Sequence, residues 1–350
     1  MNESAWPQKF AEGLAKANLP PMTLMEVCGT HTMNIARYAL RRLLPPSIKI
    51  VAGPGCPVCV TDPQDLALAF VAAADPQKII ATFGDVLRLP FGKKNLQQYS
   101  NVVAVNSPAA AVDLAVEHPT QEVIFLGIGF ETTTPLTAAA IKQAAARGVQ
   151  NFSVLSWHKR MIPALEFLLK QPALPLDGLI LPGHVAAVTG SKYFDFLIGK
   201  KAAVISGFRA AEIMAAISAL ALLIKQHRPY VQNYYPQVVR PMGNPTALQI
   251  LDEVFMPAAA TWHGLGTLPA SGFQLRPKWE AFDAQKKFKL VAPPVAPQAC
   301  RCGEIMLGKI TPPQCGLFGK ACTPTYPQGP CMVSSEGTCA AYFKYQREGN

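Results

Sequence analysis

Short apolar runs alternate along the chain with longer segments of helical periodicity, a pattern that favours parallel α/β architecture. The runs are rich in β-branched and other large apolar residues. Eight strands are predicted, at residues 23–27, 48–52, 78–82, 101–105, 122–128, 152–155, 178–181 and 202–205. Because eight strands are more than one small sheet usually needs, we predict two parallel-sheet, Rossmann-like α/β domains that face each other across a cleft.

Several of the helices predicted after these strands have recognisable N-terminal signals in the sequence. In three places a capping side chain directly precedes a proline, at Asp62-Pro63, Ser107-Pro108 and Thr134-Pro135. Since proline lacks an N–H, it is tolerated at the first helical position, and the preceding side chain can accept from a free backbone N–H. Helices are therefore predicted to begin at these points.

The amino-acid composition of the chain changes after about residue 240, where proline and glycine become frequent. We predict residues 1–120 to form a first α/β domain, residues 121–240 a second, and residues 241–350 a linker with a small cysteine-rich iron–sulfur module.

The loops after the strands are rich in glycine and polar residues. Because ligands bind beyond the carboxyl ends of strands in parallel sheets, these loops are expected to build one cleft.

Composition excludes several classes of protein. The chain has 350 residues, is half apolar and carries a formal net charge of +10, but its basic residues form scattered pairs, so we expect no nucleic-acid binding. The most apolar stretch, residues 213–224, is shorter than the about 20 residues that span a bilayer, and the N-terminus lacks the pattern of a secretory signal. We expect a cytoplasmic protein with no membrane partner, whose positive surface attracts acidic proteins.

Six of the nine cysteines are crowded between residues 300 and 339. Clustered cysteines in a larger intracellular chain usually bind metal or exchange electrons. Four thiolates complete a cubane iron–sulfur site or a tetrahedral zinc site, so two are left over. A 4Fe-4S cluster beside a redox-active dithiol would use all six. A zinc site and six unrelated buried cysteines are the alternatives.

Cys28 lies where a predicted strand ends and a helix begins, and His31 follows three residues later. A helix N-terminus favours thiolate over thiol, and a thiolate is both a nucleophile and a ligand for soft metals. His31 is close enough to hydrogen-bond the sulfur or to join its ligand shell. The alternative is an inert buried cysteine beside a core histidine whose hydrogen bonds are satisfied.

Two further cysteines, Cys56 and Cys59, follow the next predicted strand with the spacing Cys-x2-Cys. This spacing allows a disulfide within one turn or the donation of two sulfurs to one metal. A thioredoxin-type dithiol and half of a zinc site are both open. Because Cys28 and His31 also follow a predicted strand, we expect these sulfurs to converge in one cleft.

Other polar residues are candidates for lining the cleft, because they follow the predicted strands 122–128 and 178–181. They are Glu131, Thr132, Thr133 and His184. The competing interpretation is turn and helix-cap chemistry. A nucleotide site is not indicated, because the sequence contains neither a complete dinucleotide fingerprint nor a P-loop.

Five segments of the chain together resemble the HypD family of hydrogenase maturation factors, from about residue 20 to the C-terminus. They are CGTHT from Cys28, GPGCPVC from Gly53, GFETT from Gly129, PGHV from Pro182 and GPCMVSSEGTC from Gly329. The resemblance implies a scaffold on which the Fe(CN)2CO unit of NiFe hydrogenases is assembled. It implies as partners a HypC-like chaperone, a HypE-like cyanide donor and, transiently, the hydrogenase large-subunit precursor.

The resemblance also implies roles for individual residues. Iron carrying CN and CO ligands would be held by Cys28, and His31 would tune that cysteine or take a proton. Further iron ligands, or a pair that cycles between dithiol and disulfide, would be Cys56 and Cys59. By analogy with the first Cys-x-Cys of ferredoxin:thioredoxin reductase, the ligands of a 4Fe-4S cluster would be Cys300, Cys315, Cys322 and Cys339. The neighbouring redox pair would be Cys302 and Cys331.

Two functions of different class are open at this point. The first is the assembly scaffold, and the second is a 4Fe-4S-dependent thiol/disulfide oxidoreductase. A disulfide reductase needs only Cys56, Cys59 and the cluster, whereas a scaffold also needs an iron-binding thiolate, for which Cys28 is the candidate. A purely structural zinc protein is the third reading.

Overall fold

The computed structural model describes residues 6–172, 174–295 and 299–345, and this part of the chain forms two parallel sheets and an antiparallel hairpin. Its strands are β1 (Met22–Glu26), β2 (Ile48–Ala52), β3 (Lys78–Thr82), β4 (Val102–Ala104), β5 (Glu122–Gly127), β6 (Phe152–Ser156), β7 (Gly178–Pro182), β8 (Ala202–Ser206), β9 (Val231–Asn233), β10 (Phe255–Trp262) and β11 (Gly266–Leu275). The predicted α/β class with two parallel sheets is confirmed.

Helices cover the sheets and form most of the connections between strands. They are α1 (Trp6–Lys16), α2 (Gly29–Arg37), α3 (Pro57–Val60), α4 (Pro63–Ala73), α5 (Gly84–Leu87), α6 (Pro108–Glu117), α7 (Thr134–Ala146), α8 (Met161–Leu169), α9 (Gly183–Thr189), α10 (Ala210–Lys225), α11 (Pro245–Val254), α12 (Ala284–Lys287), α13 (Cys302–Met306) and α14 (Thr338–Tyr345).

The first sheet has the strand order β2-β1-β7-β8-β9, and all of its neighbours are parallel. Side chains alternate between its two faces. Leu24 and Val204 lie in the core with α10, whereas Met25 and Ile205 lie in a central core that is shared with the second sheet. Because both faces are buried, the strands are nearly continuous apolar runs.

The second sheet has the parallel order β4-β3-β5-β6. Ile124 and Leu155 face the central core, while Phe125 and Phe152 face a separate core that is covered by α6 and α7. The buried positions of α7 include Ala138, Ala140 and Ala144, whose small side chains let the helix approach the sheet closely. The two sheets therefore meet across one continuous apolar layer.

Sheet membership does not follow the predicted division of the chain at residue 120. The first sheet combines β1 and β2 with β7, β8 and β9, and the second pairs β3 with β5 across residue 120. The hairpin of β10 and β11, placed in the predicted linker, contacts α8 and β6. Apolar runs indicate where strands lie but not which strands become neighbours, so the division into units depends on pairing between distant segments.

Two of the three predicted helix caps are confirmed. Asp62 accepts from Gln64 N at 2.8 Å, and Ser107 accepts from Ala110 N at 3.2 Å. The third cap is wrong, because α7 begins at Thr134 itself and Thr134 Oγ1 donates to the carbonyl of residue 130 at 2.8 Å. The apolar stretch 213–224 lies within the buried helix α10, and the described residues contain no helix long and apolar enough to span a membrane.

A close contact of Gly190, at the C-terminus of α9, fixes the path of the chain and yields a stability prediction. Gly190 has φ 89°, and a Cβ there would lie 2.3 Å from Pro241 O. We expect Gly190→Ala to lower the free energy of unfolding by more than the about 1–3 kcal/mol that a left-handed conformation costs, because main-chain atoms cannot rotate away. Denaturant unfolding measures the change.

Gly199→Ala is the matched control for this variant. Gly199 also has a positive φ of 77°, but a Cβ there would meet nothing within 4 Å among the described residues. The Gly199→Ala substitution should therefore lower the free energy of unfolding only by the cost of the backbone conformation. If both variants lost the same free energy of unfolding, the proposed role of the contact with Pro241 would be contradicted.

Candidate thiol and metal centre

The carboxyl edge of the first sheet brings several predicted motifs together. The strands β2, β1, β7 and β8 lie side by side in that order, and the segments that follow them carry Cys56, Cys28, His184 and Phe208. Parallel strands end at the same edge of a sheet, which is where such sheets bind ligands. Because β1 pairs with β7, the site is built from segments up to about 180 residues apart in sequence, from Cys28 to Phe208.

Cys28 is the N-cap residue of α2, and backbone contacts hold it on two sides. Its N–H donates to Glu26 Oε2 at 3.1 Å, and its carbonyl accepts from Thr32 N at 3.0 Å. Gly29 N donates to Gly55 O at 3.1 Å, and a Cβ on Gly55 would lie 2.2 Å from Cys28 N. The GPGCPVC loop can pass this close only because residue 55 is glycine.

Two carboxyl groups that the sequence analysis missed lie near Cys28, one buried and one half-buried. Glu26 ends β1 and accepts from Thr32 Oγ1, and its burial raises the pKa of the carboxyl to about 8. Glu336 comes from the C-terminal tail and accepts from Thr30 Oγ1 at 2.6 Å. The charges of both carboxyl groups act on the Cys28 sulfur. Glu26 could have been found from the sequence, because it is an acidic residue inside the apolar run that predicts β1.

Burial decides the protonation of Cys28. The residue is only 6% exposed, and burial raises the pKa of its thiol to about 12, against the opposing effect of the His31 backbone N–H. The negative charges of Glu336 and Glu26 contribute to this rise. The predicted preference for thiolate at the helix N-terminus is therefore wrong for the thiol by itself, because desolvation outweighs the helix end.

The imidazole of His31 faces Gly207, and it is the backbone of His31 that faces the sulfur of Cys28. Nε2 lies 2.9 Å from Gly207 O, which assigns the proton to Nε2, and the buried Nδ1 has no hydrogen-bond partner within the described ranges. Burial lowers the pKa of His31 to about 4, so the ring is neutral and Nδ1 keeps a free lone pair. The rings of His31 and His184 have centroids 4.9 and 3.9 Å from that of Phe208, so His184 shares this site.

Cys56 and Cys59 form a disulfide, with their Cα atoms 5.2 Å apart. Cys56 caps α3, where its Sγ accepts from Cys59 N at 3.2 Å. Of the readings left open by the sequence, the structure therefore presents the disulfide. Helix α3 contacts the 3-10 turn Pro330–Met332 of the tail, so the disulfide lies between the Cys28 segment and the C-terminal cysteines.

The six C-terminal cysteines gather in one region of the tail. Cys302 shares side-chain hydrogen bonds with Cys300 and Cys331, and Cys331 shares another with Cys339. Gly329 is required beside them, because a Cβ there would lie 2.2 Å from Cys300 Sγ.

The remaining tail cysteines belong to the same group. Cys322 interacts electrostatically with Cys339 and Cys315, and its sulfur accepts from Gln328 N at 3.3 Å. Among the described residues, no three His, Cys, Asp or Glu side chains are grouped as the ligands of one metal ion. The thiols instead contact one another, which places donors of the right chemistry for a thiolate-ligated cluster within one small module.

The other predicted cleft residues occupy the second sheet. Thr133 Oγ1 donates to Ile128 O at 3.1 Å, which is turn chemistry, and Thr132 is half-buried. Glu131 is buried, and its Oε1 accepts from Met161 N at 2.8 Å and from the hydroxyl of Tyr193. Because Tyr193 belongs to the segment that follows β7, Glu131 links the two sheets.

Comparison with known proteins agrees with these motifs. Residues 6–346 match HypD, described as the Hydrogenase formation hypA family. The chain belongs to the HypD family. It is 39% identical to the hydrogenase maturation factor HypD of Rhodobacter capsulatus over 96% of this chain and 93% of that protein. The corresponding values are 39%, 94% and 90% for HypD of Escherichia coli K12, and 40%, 92% and 89% for HypD of Cupriavidus necator. The resemblance found in the sequence is confirmed.

The burial of Cys28 predicts slow alkylation in this HypD-family protein. A thiol pKa of about 12 in place of the ordinary 9.0 leaves roughly 1000-fold less thiolate at pH 8, and thiolate is the reactive form. We expect iodoacetamide to modify Cys28 slowly, at a rate that still rises with pH above 9. Peptide mass spectrometry after timed quenching measures it.

The same protein in denaturant is the reference for this experiment. There Cys28 should react at the rate of an ordinary cysteine, with a rate that levels off above pH 9. The variant Gly55→Ala should react faster than wild type when folded, because the added Cβ displaces the covering loop. An equally fast reaction of Cys28 in folded and denatured wild type would contradict the buried thiol.

Proposed function

We propose that this chain acts in hydrogenase maturation as the scaffold on which iron receives its CN and CO ligands. Membership of the HypD family and the names of the relatives support the role in hydrogenase maturation. The observation that carries the finer proposal is the buried thiol of Cys28, which lies beside Glu26, Glu336 and a histidine with a free ring nitrogen. Cys28 would be the ligand that holds the iron cargo.

The electrostatics of this site favour a cation. Alone, the buried thiol of Cys28 stays protonated at neutral pH, and the carboxyl groups of Glu26 and Glu336 add negative potential at the sulfur as they lose their own protons. A divalent ion at the sulfur supplies the positive charge that makes the thiolate stable despite its burial. Iron would therefore bind with loss of the thiol proton, for which the His31 ring is a poor acceptor because burial lowers its pKa to about 4.

Two partners would complete the assembly. A HypC-like chaperone would supply a second cysteine ligand to the iron, and a HypE-like partner would bring cyanide as a thiocyanate on its terminal cysteine. Release of cyanide breaks the S–C bond and needs two electrons, which leave a thiolate and a cyanide ion. The finished unit would then pass to the hydrogenase large-subunit precursor.

The Cys56–Cys59 pair would supply these two electrons. As a dithiol it would lose two electrons and two protons and become the disulfide that the structure contains. One proton would go to the partner's thiolate and the other to the cyanide ion or to solvent. Gly55, which directly precedes Cys56, packs against the backbone of Cys28. The disulfide pair would therefore lie beside an iron held by Cys28.

The tail cysteines would restore the dithiol. A 4Fe-4S cluster held by Cys300, Cys315, Cys322 and Cys339 would supply single electrons from a low-potential donor. The contact between Cys302 and Cys331, and the electrostatic link of Cys322 to Cys315 and Cys339, support this division of the six residues. The contact of α3 with the turn Pro330–Met332 joins the pair to the disulfide.

One observation favours a second function. The Cys56–Cys59 disulfide beside a pair of free thiols, Cys302 and Cys331, is also the arrangement of a 4Fe-4S-dependent thiol/disulfide oxidoreductase. That function would use the same electron path toward a partner's disulfide. It would not need Cys28, so this residue separates the two functions.

The variant Cys28→Ala tests the scaffold. In wild type purified without oxygen together with a HypC-like partner, we expect infrared bands of iron-bound cyanide and carbon monoxide. Cys28→Ala should lose these bands, because the iron loses its ligand, and should keep about four irons per chain in the cluster. Met33→Ala, a substitution on the same helix outside the proposed ligands, is the control that should keep the bands. Bands retained in Cys28→Ala would reject the scaffold.

A pair of serine variants tests the division of the tail cysteines. We expect Cys300→Ser to lose the cluster and its visible absorbance, because a ligand is removed, whereas Cys302→Ser should keep both. Iron and labile sulfide assays on anaerobically purified protein measure the result. A cluster that survives in Cys300→Ser and is lost in Cys302→Ser would reverse the assignment.

A further inference from the structure

We propose that the exposed turns at residues 313–328, called the tail loop below, are the docking surface for a small, acidic one-electron carrier protein. This inference rests on the electron path of the proposed function, which needs a low-potential donor. The tail loop contains two of the six C-terminal cysteines, Cys315 and Cys322, and it lies outside the five segments that resemble the HypD family.

Two consecutive turns of the tail loop enclose Cys322. In the first turn, Cys322 N donates to Leu317 O at 2.9 Å, and Gly319 N donates to Cys322 O at 3.0 Å. The second turn carries Tyr326, and its end is tied back by Gln328 N, which donates to Cys322 Sγ at 3.3 Å. The side chains at the two turn tips are therefore held at defined positions beside this sulfur.

Only a thin layer of chain separates the two cysteines of the tail loop from solvent. Cys315 and Cys322 are 7% and 6% exposed. The exposed positions around them are residues 313, 314, 316, 319–321, 324–326 and 328. A carrier seated on this loop would come close to two proposed cluster ligands. Because electron transfer between proteins slows steeply with distance, this position favours transfer.

The second turn presents an aromatic side chain to solvent. Tyr326 is 73% exposed, more than any other Phe, Tyr or Trp side chain in the described ranges. Tyrosine is enriched at protein interfaces and among the residues that contribute most to binding. Electron-transfer complexes bury little surface, so one such residue and a few charges are a sufficient contact.

The charge of this surface indicates the kind of partner. Between residues 305 and 335 the sequence contains two lysines, Lys309 and Lys320, and no acidic residue. Both lysines are exposed. The nearest basic residue before them, Arg301, is balanced by its ion pair with Glu304. The surface therefore carries two positive charges beyond this ion pair, and it complements an acidic protein, whose encounter it would accelerate.

The transfer itself moves one electron at a time. The carrier loses one electron and is oxidised, and the acceptor in the tail module gains that electron and is reduced. No covalent bond forms or breaks, and no proton is required. Two successive encounters supply the two electrons that the proposed function consumes.

The test uses the full-length protein with its cluster and, as the probe, a plant-type 2Fe-2S ferredoxin, which is an acidic, low-potential carrier. The variants are Lys320→Glu and Tyr326→Ala. Lys170→Glu, which reverses an exposed charge at the end of α8, is the matched control. Calorimetry measures the Kd for oxidised ferredoxin. Rapid-freeze electron paramagnetic resonance measures the rate of cluster reduction, first by reduced ferredoxin and separately by reduced methyl viologen.

Wild type should bind oxidised ferredoxin, and the Kd should rise about tenfold between about 0.01 M and about 0.15 M salt, because the Debye length falls from about 30 to about 8 Å. Lys320→Glu and Tyr326→Ala should each raise the Kd and slow reduction by ferredoxin about tenfold. The control should behave as wild type. All four proteins should react equally fast with methyl viologen, because a small donor needs no docking surface.

The outcomes separate this inference from the proposed function. Equal Kd values for Lys320→Glu and Lys170→Glu would overturn the docking surface, and the electron path would stand as long as methyl viologen reduces the cluster. Displacement of ferredoxin by a HypC-like chaperone whose own binding is weakened by Tyr326→Ala would assign the tail loop to that partner and also overturn the inference. A wild-type protein without a reducible 4Fe-4S cluster would overturn the electron path and the inference with it.

Discussion

Close backbone packing around Cys28 is the constraint on which the rest of the site depends. Gly55 lets the GPGCPVC loop touch the Cys28 backbone, and Gly53 N donates to Glu26 O at 2.7 Å. On the other side, Gly29 leaves room for Glu336, since a Cβ there would lie 2.7 Å from the Glu336 Cβ. Three segments that are distant in sequence thereby seal one sulfur from water.

This seal sets the chemistry of the site. Burial displaces Cys28, Glu26 and His31 toward the neutral form, with pKa values of about 12, about 8 and about 4, and it also raises the pKa of Glu336. A neutral buried site is stable without cargo, because no charge is left without a partner. Binding of a cation would change that balance, which is the physical basis for coupling iron binding to proton release.

The C-terminal tail connects this site to both sheets. Glu336 accepts from Thr30 beside the first sheet, while the carbonyl of Val333 accepts from Arg88 Nη2 at 3.0 Å beside the second. Helix α14 packs against α2. The tail is therefore part of the wall around Cys28, and its cysteines are held at a defined position relative to the disulfide of α3.

The sequence by itself determined most of the elements and indicated sulfur chemistry, although it missed the strands β9, β10 and β11. Eight strands were predicted from local apolar runs, and the motifs around Cys28, Cys56 and Cys59 indicated the family and the role of sulfur. Local patterns suffice for this because strand formation and helix capping by residues such as Asp62 depend on neighbouring residues.

The tertiary structure alone decided which strands pair, what the site contains and how its groups ionise. β1 pairs with β7 across about 150 residues, so the division of the chain at residue 120 could not be read correctly from local patterns. Glu336 reaches Thr30, close to Cys28, only through packing of the tail. The protonation of Cys28 followed burial, which depends on every segment that covers it and on no single motif.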